Sequence, residues 1–311
     1  MINLKIFYLS NTIDKRSEIL FLYDIENANP NGDPVNENRP RFDAEDNTVL
    51  VTDVRLKRTI RDYWYDYKGY NGKDGKDVFV RETKYNDGDK EYIKDGKGRA
   101  KDFNEKIETI LNTCIDIRTF GGVIPLSKAS ITKIGPVQFQ MGRSLNKTEV
   151  IEEQGTGAFA SGEKKTHATF RTEYKVPYAV IGFNGIINEK SAEHSLMTIE
   201  DKELLKEGIW EGTKSLISRS KFGQTPLLLM VIDYNTSFYI GNLRQRLNLI
   251  MNELNEIQIR SVDDYQIDVT ELVDELKANK DKIDNIDFRA DSKLQLVYNG
   301  EKISKIAIDE L

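Results

Sequence analysis

The first long apolar run of the chain, residues 18–26, reads Glu18-Ile19-Leu20-Phe21-Leu22-Tyr23-Asp24-Ile25-Glu26 and predicts a buried β-strand. Polar turn formers follow at once, in the order Asn27-Ala28-Asn29-Pro30-Asn31-Gly32-Asp33-Pro34. Asparagine, glycine and proline stabilise turns because of their local hydrogen bonds and their special φ preferences. The pattern therefore predicts a strand that ends in a shaped, asparagine-rich loop.

The next pattern has the period of a helix and begins near residue 52. Thr52 is a good N-cap, and Asp53 suits the first turn of a helix. One stripe of this helix is apolar and consists of Leu56, Ile60, Tyr63, Trp64 and Tyr67. Four cations lie off the stripe, namely Arg55, Lys57, Arg58 and Arg61. Residues 55–68 hold five basic and two acidic side chains, so the local net charge is +3.

Farther along, the pattern predicts alternating strands and helices with two insertions. Turn dipeptides such as Asp87-Gly88 indicate small hairpins over 68–100, and residues 143–175 indicate a long β-hairpin or loop that projects from the core. Strands are predicted over 130–140, with a kink at Gly135-Pro136, and over 176–187 and 226–232. Helices are predicted over 103–112, 199–218 and 241–257. This order fits an α+β fold with a ferredoxin-like, split βαβ sheet and helices on one face.

These segments divide the chain into a discontinuous body and three attached parts. We expect the ferredoxin-like body over 1–67, 101–142 and 176–259, the two insertions at 68–100 and 143–175, and an acidic C-terminal α/β segment packed on the body over 260–311. The C-terminal segment holds 8 basic and 13 acidic residues, which account for −5 of the net charge of −6. The remaining 37 basic and 38 acidic residues nearly balance, so local clusters decide what the body binds.

Composition excludes several classes of protein. Cys114 is the one cysteine among 311 residues, so a disulfide within the chain is impossible. No apolar run is long enough to span a bilayer, and the first ten residues lack the apolar core of a signal peptide. We therefore expect a soluble, cytoplasmic protein that does not bind membranes.

Candidate catalytic, metal and cofactor sites are weak. The run from Gly157 to Gly162 has the spacing of a phosphate-binding loop, but Glu163 stands where a lysine is needed. His167, His194 and Cys114 are far apart in sequence, which disfavours a zinc site or a nucleophile–histidine pair. Five acidic residues near the first strand could hold Mg²⁺, but strand flanking and turn stabilisation are the simpler roles of Asp24, Glu26, Asp33, Glu37 and Asp43. We expect no catalytic residue, no metal and no cofactor.

Two further clusters combine basic and aromatic side chains. The projecting hairpin carries Lys164, Lys165, His167, Arg171 and Lys175, interleaved with Phe159, Phe170 and Tyr174. Residues 212–224 contain no acidic residue and carry Lys214, Arg219, Lys221 and Phe222. Cations bind phosphates and aromatic rings stack on bases, as single-stranded nucleic acid requires. Together with the cations of the first helix, these clusters indicate RNA or DNA binding, and a solvated charged face is the alternative.

Several motifs resemble one known family. The runs FLYDIENANPNGDP (21–34), NRPR (38–41) and VTDVRLKR (51–58) closely resemble the repeated backbone subunit of the CRISPR effector complex Cascade, in its type I-B variant. Shorter runs that are also similar to this family lie at 116–121, 135–139, 142–144, 176–178 and 226–229. The family belongs to the repeat-associated RNA-binding (RAMP) superfamily, and the similarity extends from about residue 18 to residue 234.

The resemblance implies a non-catalytic subunit that polymerises head to tail along CRISPR RNA, beside other Cascade subunits, and presents the guide for pairing with target DNA. It implies a palm related to RNA-recognition domains, a finger insertion at 68–100 and a thumb hairpin at 143–175. Because guide sequences vary, contacts are expected to phosphate, ribose and stacked bases. The expected RNA-binding residues are Asn27, Asn29, Asn31, Arg55, Lys57, Arg58, Arg61, Arg143, Ser144, Lys164, Lys165, His167, Phe170, Lys214, Arg219, Lys221 and Phe222.

Two other functions stay open at this point. In sister complexes of the wider superfamily, backbone subunits cut target RNA with a loop aspartate, and Asp33 would be the candidate here for a metal-dependent ribonuclease. A protein-interaction scaffold with incidental basic patches is the third interpretation.

Overall fold

The computed structural model describes residues 11–160, 168–251, 253–307 and 309. Its helices are α1 (Asp53–Tyr67), α2 (Gly96–Lys101), α3 (Ile107–Thr113), α4 (Ile115–Phe120), α5 (Glu189–Ser195), α6 (Ile199–Lys214) and α7 (Thr270–Ala278). Its strands are β1 (Ser17–Ala28), β2 (Gly32–Asp33), β3 (Arg39–Pro40), β4 (Phe42–Asp43), β5 (Thr48–Val51), β6 (Lys84–Asp87), β7 (Lys90–Ile93), β8 (Gly121–Pro125), β9 (Ser130–Ile134), β10 (Val137–Phe139), β11 (Gly142–Ser144), β12 (Ile151–Ala160), β13 (Ala168–Ile187), β14 (Gln224–Tyr234), β15 (Asn248–Met251), β16 (Tyr265–Asp268), β17 (Ile283–Ala290), β18 (Leu296–Tyr298) and β19 (Glu301–Ile303). Within this described part, no helix is long and apolar enough to cross a membrane.

A nine-stranded antiparallel sheet organises the molecule. Its strand order is β17-β14-β1-β13-β11-β5-β4, and β10 and β12 also pair with β13. The central strand β1 is the buried strand predicted at 18–26, and it lies between β13 and β14. Phe21 stands opposite Phe183 on one side and opposite Leu229 on the other. The mixed α+β class expected from the sequence is confirmed.

Both faces of this sheet are buried, each under a different part of the chain. Alternate residues of β1 point to opposite faces, as the pleat of a strand requires. Phe21 and Tyr23 pack with α1 and α6, through residues such as Ile60, Trp64 and Ile209. Leu20 and Leu22 pack under the C-terminal segment with Tyr265, Leu272 and Leu276. The two longest helices, α1 and α6, therefore lie on one face, and the C-terminal segment with its helix α7 covers the other.

Helix α1 forms as its sequence predicts. The side chain of Thr52 accepts a hydrogen bond from the backbone N–H of Arg55, and Asp53 lies in the first turn. The apolar stripe faces the sheet, and Leu56, Ile60 and Trp64 are buried. Burying such large side chains contributes about 1.5–3 kcal/mol each to the free energy of folding. Packing thus holds the helix from Leu56 to Trp64, whereas Tyr67, the last residue of the predicted stripe, is 60% exposed.

The predicted helix at 241–257 was wrong. This stretch forms a short 3₁₀ turn, Leu243–Arg246, followed by β15, which pairs with β16. Exposure alternates with a period of two, since Asn248 and Ile250 are exposed while Leu249 and Met251 are partly covered. Pairing with Tyr265–Asp268 of the C-terminal segment thus outweighs the local helix propensity.

Three other predicted elements differ in their bounds. The strand expected over 130–140 divides at Gly135-Pro136 into β9, which pairs with β8, and β10, which pairs with β13. A Cβ on Gly135 would lie 2.1 Å from the backbone carbon of Phe120, so this break allows two segments to approach closely. The helix expected from 199 ends at Lys214, and the helix expected from 103 begins at Ile107.

Hairpins form in both segments where the sequence predicts them, 68–100 and 143–175. Strands β6 and β7 pair from Lys84 opposite Ile93 to Asp87 opposite Lys90. Strands β12 and β13 pair from Ile151 opposite Lys175 to Ala160 opposite Ala168. Because β13 continues without interruption into the central sheet, the projecting hairpin is a direct extension of a sheet strand.

Candidate nucleic-acid interface

The asparagine-rich loop packs on the N-terminal end of α1. Asn31 Oδ1 accepts hydrogen bonds of 2.9 Å from both the backbone N–H and the hydroxyl of Thr52. Asn29 is buried, and its Nδ2 donates to the carbonyl oxygen of Asn38 at 2.7 Å. Asn27 has a positive φ of 48°, a conformation that asparagine tolerates better than most residues. Asn29 and Asn31 thus shape the loop rather than project from it.

The segment 218–223 lies beside this loop and is tied to it by its backbone. The backbone N–H of Asn29 donates to the carbonyl oxygen of Ser220, and that of Glu26 donates to the carbonyl oxygen of Gly223, both at 2.8 Å. The Nζ of Lys221 donates to the carbonyl oxygen of Asn29 at 2.6 Å. Two stretches almost 200 residues apart in sequence therefore form one surface.

Two cations meet on this surface without an acidic partner. Arg55 and Lys221 are both half-buried, and within the described part of the chain neither forms an ion pair. Burial, and to a smaller extent the nearby Arg55 guanidinium, lower the pKa of the Lys221 ammonium to about 8. Burial also lowers the pKa of Arg55. Half-buried cations without a counter-charge favour an anionic ligand, because the ligand restores the lost solvation energy.

The other predicted residues of 212–224 surround this pair. Phe222 is 69% exposed, and Lys214 is also exposed. Arg219 lies at the base of the projecting hairpin, where its Nε is 2.9 Å from a carboxylate oxygen of Glu173. Glu173 also pairs with Arg171 at 2.5 Å, so one carboxylate joins Arg219 to the hairpin base. We call the surface formed by Asn29, Arg55, Arg219, Lys221 and Phe222 the loop–helix site.

Two cations of α1 point away from the loop–helix site. Lys57 and Arg55 are two residues apart, which places them on opposite sides of a helix. Lys57 Nζ lies 3.1 Å from Asp53 and 3.2 Å from Gln138, and Arg61 Nε lies 3.0 Å from the fully buried Asp116. The structure therefore does not bring Lys57 and Arg61 together with Arg55.

Three more predicted residues, Arg58 on α1 and Arg143 and Ser144 on β11, lie outside the loop–helix site. Arg58 is exposed and pairs with Asp62. Arg143 Nη1 contacts Asp43 at 3.0 Å, Asp46 at 2.9 Å and Thr48 at 2.8 Å. Ser144 is buried, and its hydroxyl accepts from the N–H of Val49 and donates to the carbonyl oxygen of Asn146. These bonds place Ser144 inside the sheet.

The predicted residues of the hairpin tip can be assigned only in part. Lys164, Lys165 and His167 lie outside the described residues. The backbone of Phe170 stands opposite Thr156 in the hairpin, and its side chain also lies outside the described part.

Sequence reasoning missed an arginine–tyrosine stack beside the hairpin base. The guanidinium carbon of Arg39 lies 4.1 Å from the ring centroid of Tyr174, and its Nη2 donates to the hydroxyl of Tyr174 at 2.8 Å. The two side chains border a cleft of about 490 Å³ with Phe42 and Met141 in its walls. The run NRPR contains Arg39, and the hairpin pattern contains Tyr174, but neither pattern shows that the two meet.

The described residues give no support to the ribonuclease alternative. Within them, no three histidine, cysteine, aspartate or glutamate side chains lie close enough together to hold a metal ion. Asp33, on which that alternative depends, pairs with Arg41 at 3.3 Å and accepts a hydrogen bond from the backbone of Val35. Its carboxylate therefore stabilises the loop.

Comparison with known proteins identifies the family. The family model of the CRISPR-associated protein Cas7 matches residues 15–270. A CRISPR-associated protein Cas7 of Haloferax volcanii is 32% identical over 316 aligned residues, which cover 93% of this chain and 90% of that protein. The chain belongs to the Cas7 family. The resemblance found in the sequence motifs, to a Cascade backbone subunit, is thereby confirmed.

Solved structures show a more distant likeness. One described as "CRISPR RNA-guided surveillance complex, pre-nicking" aligns with 70% of this chain and 78% of its own chain, at 12% identity and a TM-score of 0.45. Another, described as "CRISPR RNA-guided surveillance complex", aligns with 70% and 68% of the two chains, at 12% identity and a TM-score of 0.43. The Cas7 assignment therefore rests on sequence. The matched range 15–270 includes every residue of the loop–helix site.

Proposed function

We propose that this Cas7 protein is an RNA-binding backbone subunit of a type I CRISPR surveillance complex, of the I-B kind, and that it has no catalytic activity of its own. It binds CRISPR RNA through phosphates, polymerises head to tail along that RNA beside other subunits, and presents the guide for pairing with target DNA. Family membership and the loop–helix site support this function. A head-to-tail contact between copies of one subunit produces an open helix when it does not close into a ring. Such a helix suits a scaffold that follows an RNA strand.

The observation that carries the proposal is that two cations, Arg55 and Lys221, lie near enough for the charge of one to act on the other. Both cations are half-buried, and neither forms an ion pair within the described part, although the charge of Asp62 acts on Arg55. A backbone phosphate placed between them would accept hydrogen bonds from a guanidinium and an ammonium at once. Neither bond reads a base, so the site fits a guide whose sequence varies.

The strand order supports a ferredoxin-like palm. Strands β14, β1, β13 and β11 are neighbours in that order, and along the chain they alternate with the two longest helices as β1-α1-β11-β13-α6-β14. This is the order of a split βαβ unit. In the proposed architecture, residues 68–100 are the fingers, residues 143–175 are the thumb and residues 260–311 are a C-terminal segment on the second face of the palm.

The position of the hairpin supports its role as a thumb. Arg219 and Arg171 both contact Glu173, so the hairpin base adjoins the loop–helix site. Phe222 is exposed beside this contact and offers a ring for base stacking. A strand held at Arg55 and Lys221 would therefore reach the base of the hairpin.

The test is RNA binding by the variants Arg55→Gln and Lys221→Met. Each removes one charge and leaves most of the side-chain stem, so the fold should persist. We expect each to weaken the binding of a single-stranded RNA about tenfold, since hydrogen bonds to charged groups contribute about 1.5–3 kcal/mol. Each should also reduce the slope of log K against log salt by about 0.7.

The matched control is Arg289→Gln. Arg289 is a half-exposed arginine on β17 that pairs with Glu211 and stacks on Trp210, far along the sheet from the asparagine loop. It should bind RNA as the natural chain does. Natural affinity in both Arg55→Gln and Lys221→Met would remove the loop–helix site from the interface.

A further inference from the structure

Arg244 lies on the second face of the sheet, where contacts to β13 hold both its backbone and its side-chain stem. Its backbone N–H donates to Asn184 Oδ1 at 2.9 Å, and Asn184 Nδ2 in turn donates to Gln140 at 3.0 Å. The aliphatic stem of Arg244 lies over Gly182, where a Cβ would be only 2.7 Å from Cδ. The absence of a side chain at Gly182 thus makes room for Arg244, and the amide of Asn184 fixes its backbone.

The guanidinium of Arg244 lacks a counter-charge. It is half-buried, and among the described residues it has neither an ion pair nor a hydrogen-bond partner. Burial lowers its pKa, and the neighbouring Arg143 lowers it further. Arg246, two residues along the same turn, contacts Glu271 at 3.1 Å and Glu275 at 3.4 Å. The contrast shows that Arg244 is not simply one of the paired surface arginines.

Arg143 adjoins Arg244 on the same face. Arg143 stands directly opposite Gly182, and Gly182 stands directly opposite Leu22. Residues opposite each other in antiparallel strands share a face, and Leu22 packs under the C-terminal segment. Tyr23, the next residue, packs on the α1 side. Arg143 and Arg244 are therefore separated from the α1 face, and thus from Arg55, by the thickness of the sheet.

The chemistry of this pair suits a phosphodiester. A planar guanidinium binds two oxygens of a phosphate at once, and an unpaired, half-buried guanidinium gains most from such a ligand. Arg143 already pairs with Asp43 and Asp46, so Arg244 supplies the free donor groups. The two arginines and two aspartates together carry no net charge, so the site suits one phosphate held by the guanidinium of Arg244 rather than a polyanionic surface.

We propose that Arg244, supported by Arg143, is a second phosphate-binding site of this chain, which holds a nucleic-acid backbone on the face of the sheet opposite the loop–helix site. This inference rests on the proposed RNA-binding function and adds a contact that the sequence motifs did not indicate. The phosphate belongs either to a later stretch of the guide RNA or to the DNA strand that pairs with it. Both sources offer the same phosphodiester group.

The test compares Arg244→Gln with the natural full-length chain. Glutamine keeps the stem over Gly182 and removes the charge. Fluorescence anisotropy is measured at several salt concentrations with two probes, a single-stranded guide RNA and the same RNA hybridised to complementary DNA. Arg246→Gln is the matched control, because it removes an arginine of the same 3₁₀ turn that already has acidic partners. Its affinity for both probes should be unchanged.

We expect Arg244→Gln to weaken binding about tenfold and to lower the salt slope by about one phosphate contact. If Arg244→Gln binds the single-stranded RNA probe more weakly, the phosphate belongs to the guide. If only its binding of the RNA–DNA hybrid is weaker, the phosphate belongs to the DNA strand. Natural affinity and slope with both probes overturn the inference, as does a defect only in self-association without nucleic acid, which would indicate a protein carboxylate. Arg55→Gln separates the two claims: if it weakens binding while Arg244→Gln does not, the proposed function stands and the second site falls.

Discussion

The ammonium group of Lys221 donates a 2.6 Å hydrogen bond to the carbonyl oxygen of Asn29. This bond joins the asparagine loop to a segment almost 200 residues away. It also fixes a cation beside Arg55, where burial lowers the pKa of Lys221 to about 8. The electrostatic character of the loop–helix site therefore depends on tertiary structure as much as on the motif.

RNA affinity should depend on pH through Lys221. The free protein loses the Lys221 proton as pH rises through about 8, whereas a bound phosphate favours the protonated form. Affinity should therefore be constant below pH 7 and fall by up to about tenfold per pH unit above 8. Filter binding between pH 6.5 and 9 measures this effect.

The control for the pH effect is Lys221→Arg. A guanidinium stays protonated over this range, so the variant should show a much flatter profile. Lys214→Arg changes an exposed lysine nearby and should keep the profile of the natural chain. An affinity of the natural chain that is the same at pH 7 and pH 9 would exclude Lys221 from phosphate binding.

Arg61 should contribute to stability rather than to RNA binding. It pairs with Asp116, whose carboxylate is fully buried and also accepts from the backbone N–H groups of Phe79 and Val80. Removing one partner of a buried pair costs about 3–5 kcal/mol. We expect Arg61→Met to lower the free energy of unfolding by about 3 kcal/mol in denaturant titration. The folded variant should bind RNA with natural affinity, and a selective loss of RNA binding would restore Arg61 to the interface.

Asp24 should make stability depend on pH. Its carboxylate accepts from the hydroxyl of Tyr178 at 2.9 Å, and burial raises its pKa to about 6 from an ordinary value of 3.8. The folded state therefore holds the proton more tightly than the unfolded state. This contribution to stability is fully present below about pH 4 and is lost as pH rises through 6, with a total of roughly 3 kcal/mol.

The variant Asp24→Asn removes the ionisation and keeps the shape. Its stability relative to the natural chain should therefore increase between pH 4.5 and pH 7.5, as measured by denaturant titration at each pH. The exposed Glu301 lies on β19, and Glu301→Gln should leave the pH profile unchanged. If the difference between Asp24→Asn and the natural chain were the same at every pH, Asp24 would not titrate in this range.

Gly223 should be required for the shape of the loop–helix site. Its φ is +103°, and a Cβ there would lie 2.4 Å from the carbonyl oxygen of Glu26. Gly223→Ala should lower the free energy of unfolding by about 2 kcal/mol or more and weaken RNA binding, because a shift of the backbone at Gly223 moves Lys221, two residues away. Gly300 also has a positive φ, of +83°, but has open space around it. Gly300→Ala should cost only about 1 kcal/mol and leave RNA affinity intact.

Local signals were sufficient to predict the elements that carry the loop–helix site. The cap at Thr52, the apolar stripe of α1 and the apolar run of β1 each depend on neighbours within a few residues. The same signals could not separate Arg55 from Lys57 and Arg61. Lys57 has a local partner in Asp53, but its second partner Gln138 and the partner of Arg61, Asp116, are 81 and 55 positions away. Which cations are free is a property of the fold.

Arg244 is a candidate site residue that no local sequence pattern indicated. It lies in a stretch whose predicted helix was wrong, and it has no basic neighbour on either side except Arg246. Its significance depends on Gly182 and Asn184, which leave room for its stem and hold its backbone. No local pattern in the sequence connects these three residues.

The central claim is that this chain holds RNA by its sugar–phosphate backbone, whatever its sequence. The most direct measurement is the affinity for several single-stranded RNAs of equal length and unrelated sequence, each titrated at several salt concentrations. We predict similar dissociation constants for all of them, with a slope of log K against log salt of about −0.7 for each phosphate contacted. No binding, or binding that distinguishes sequences and ignores salt, would contradict this claim.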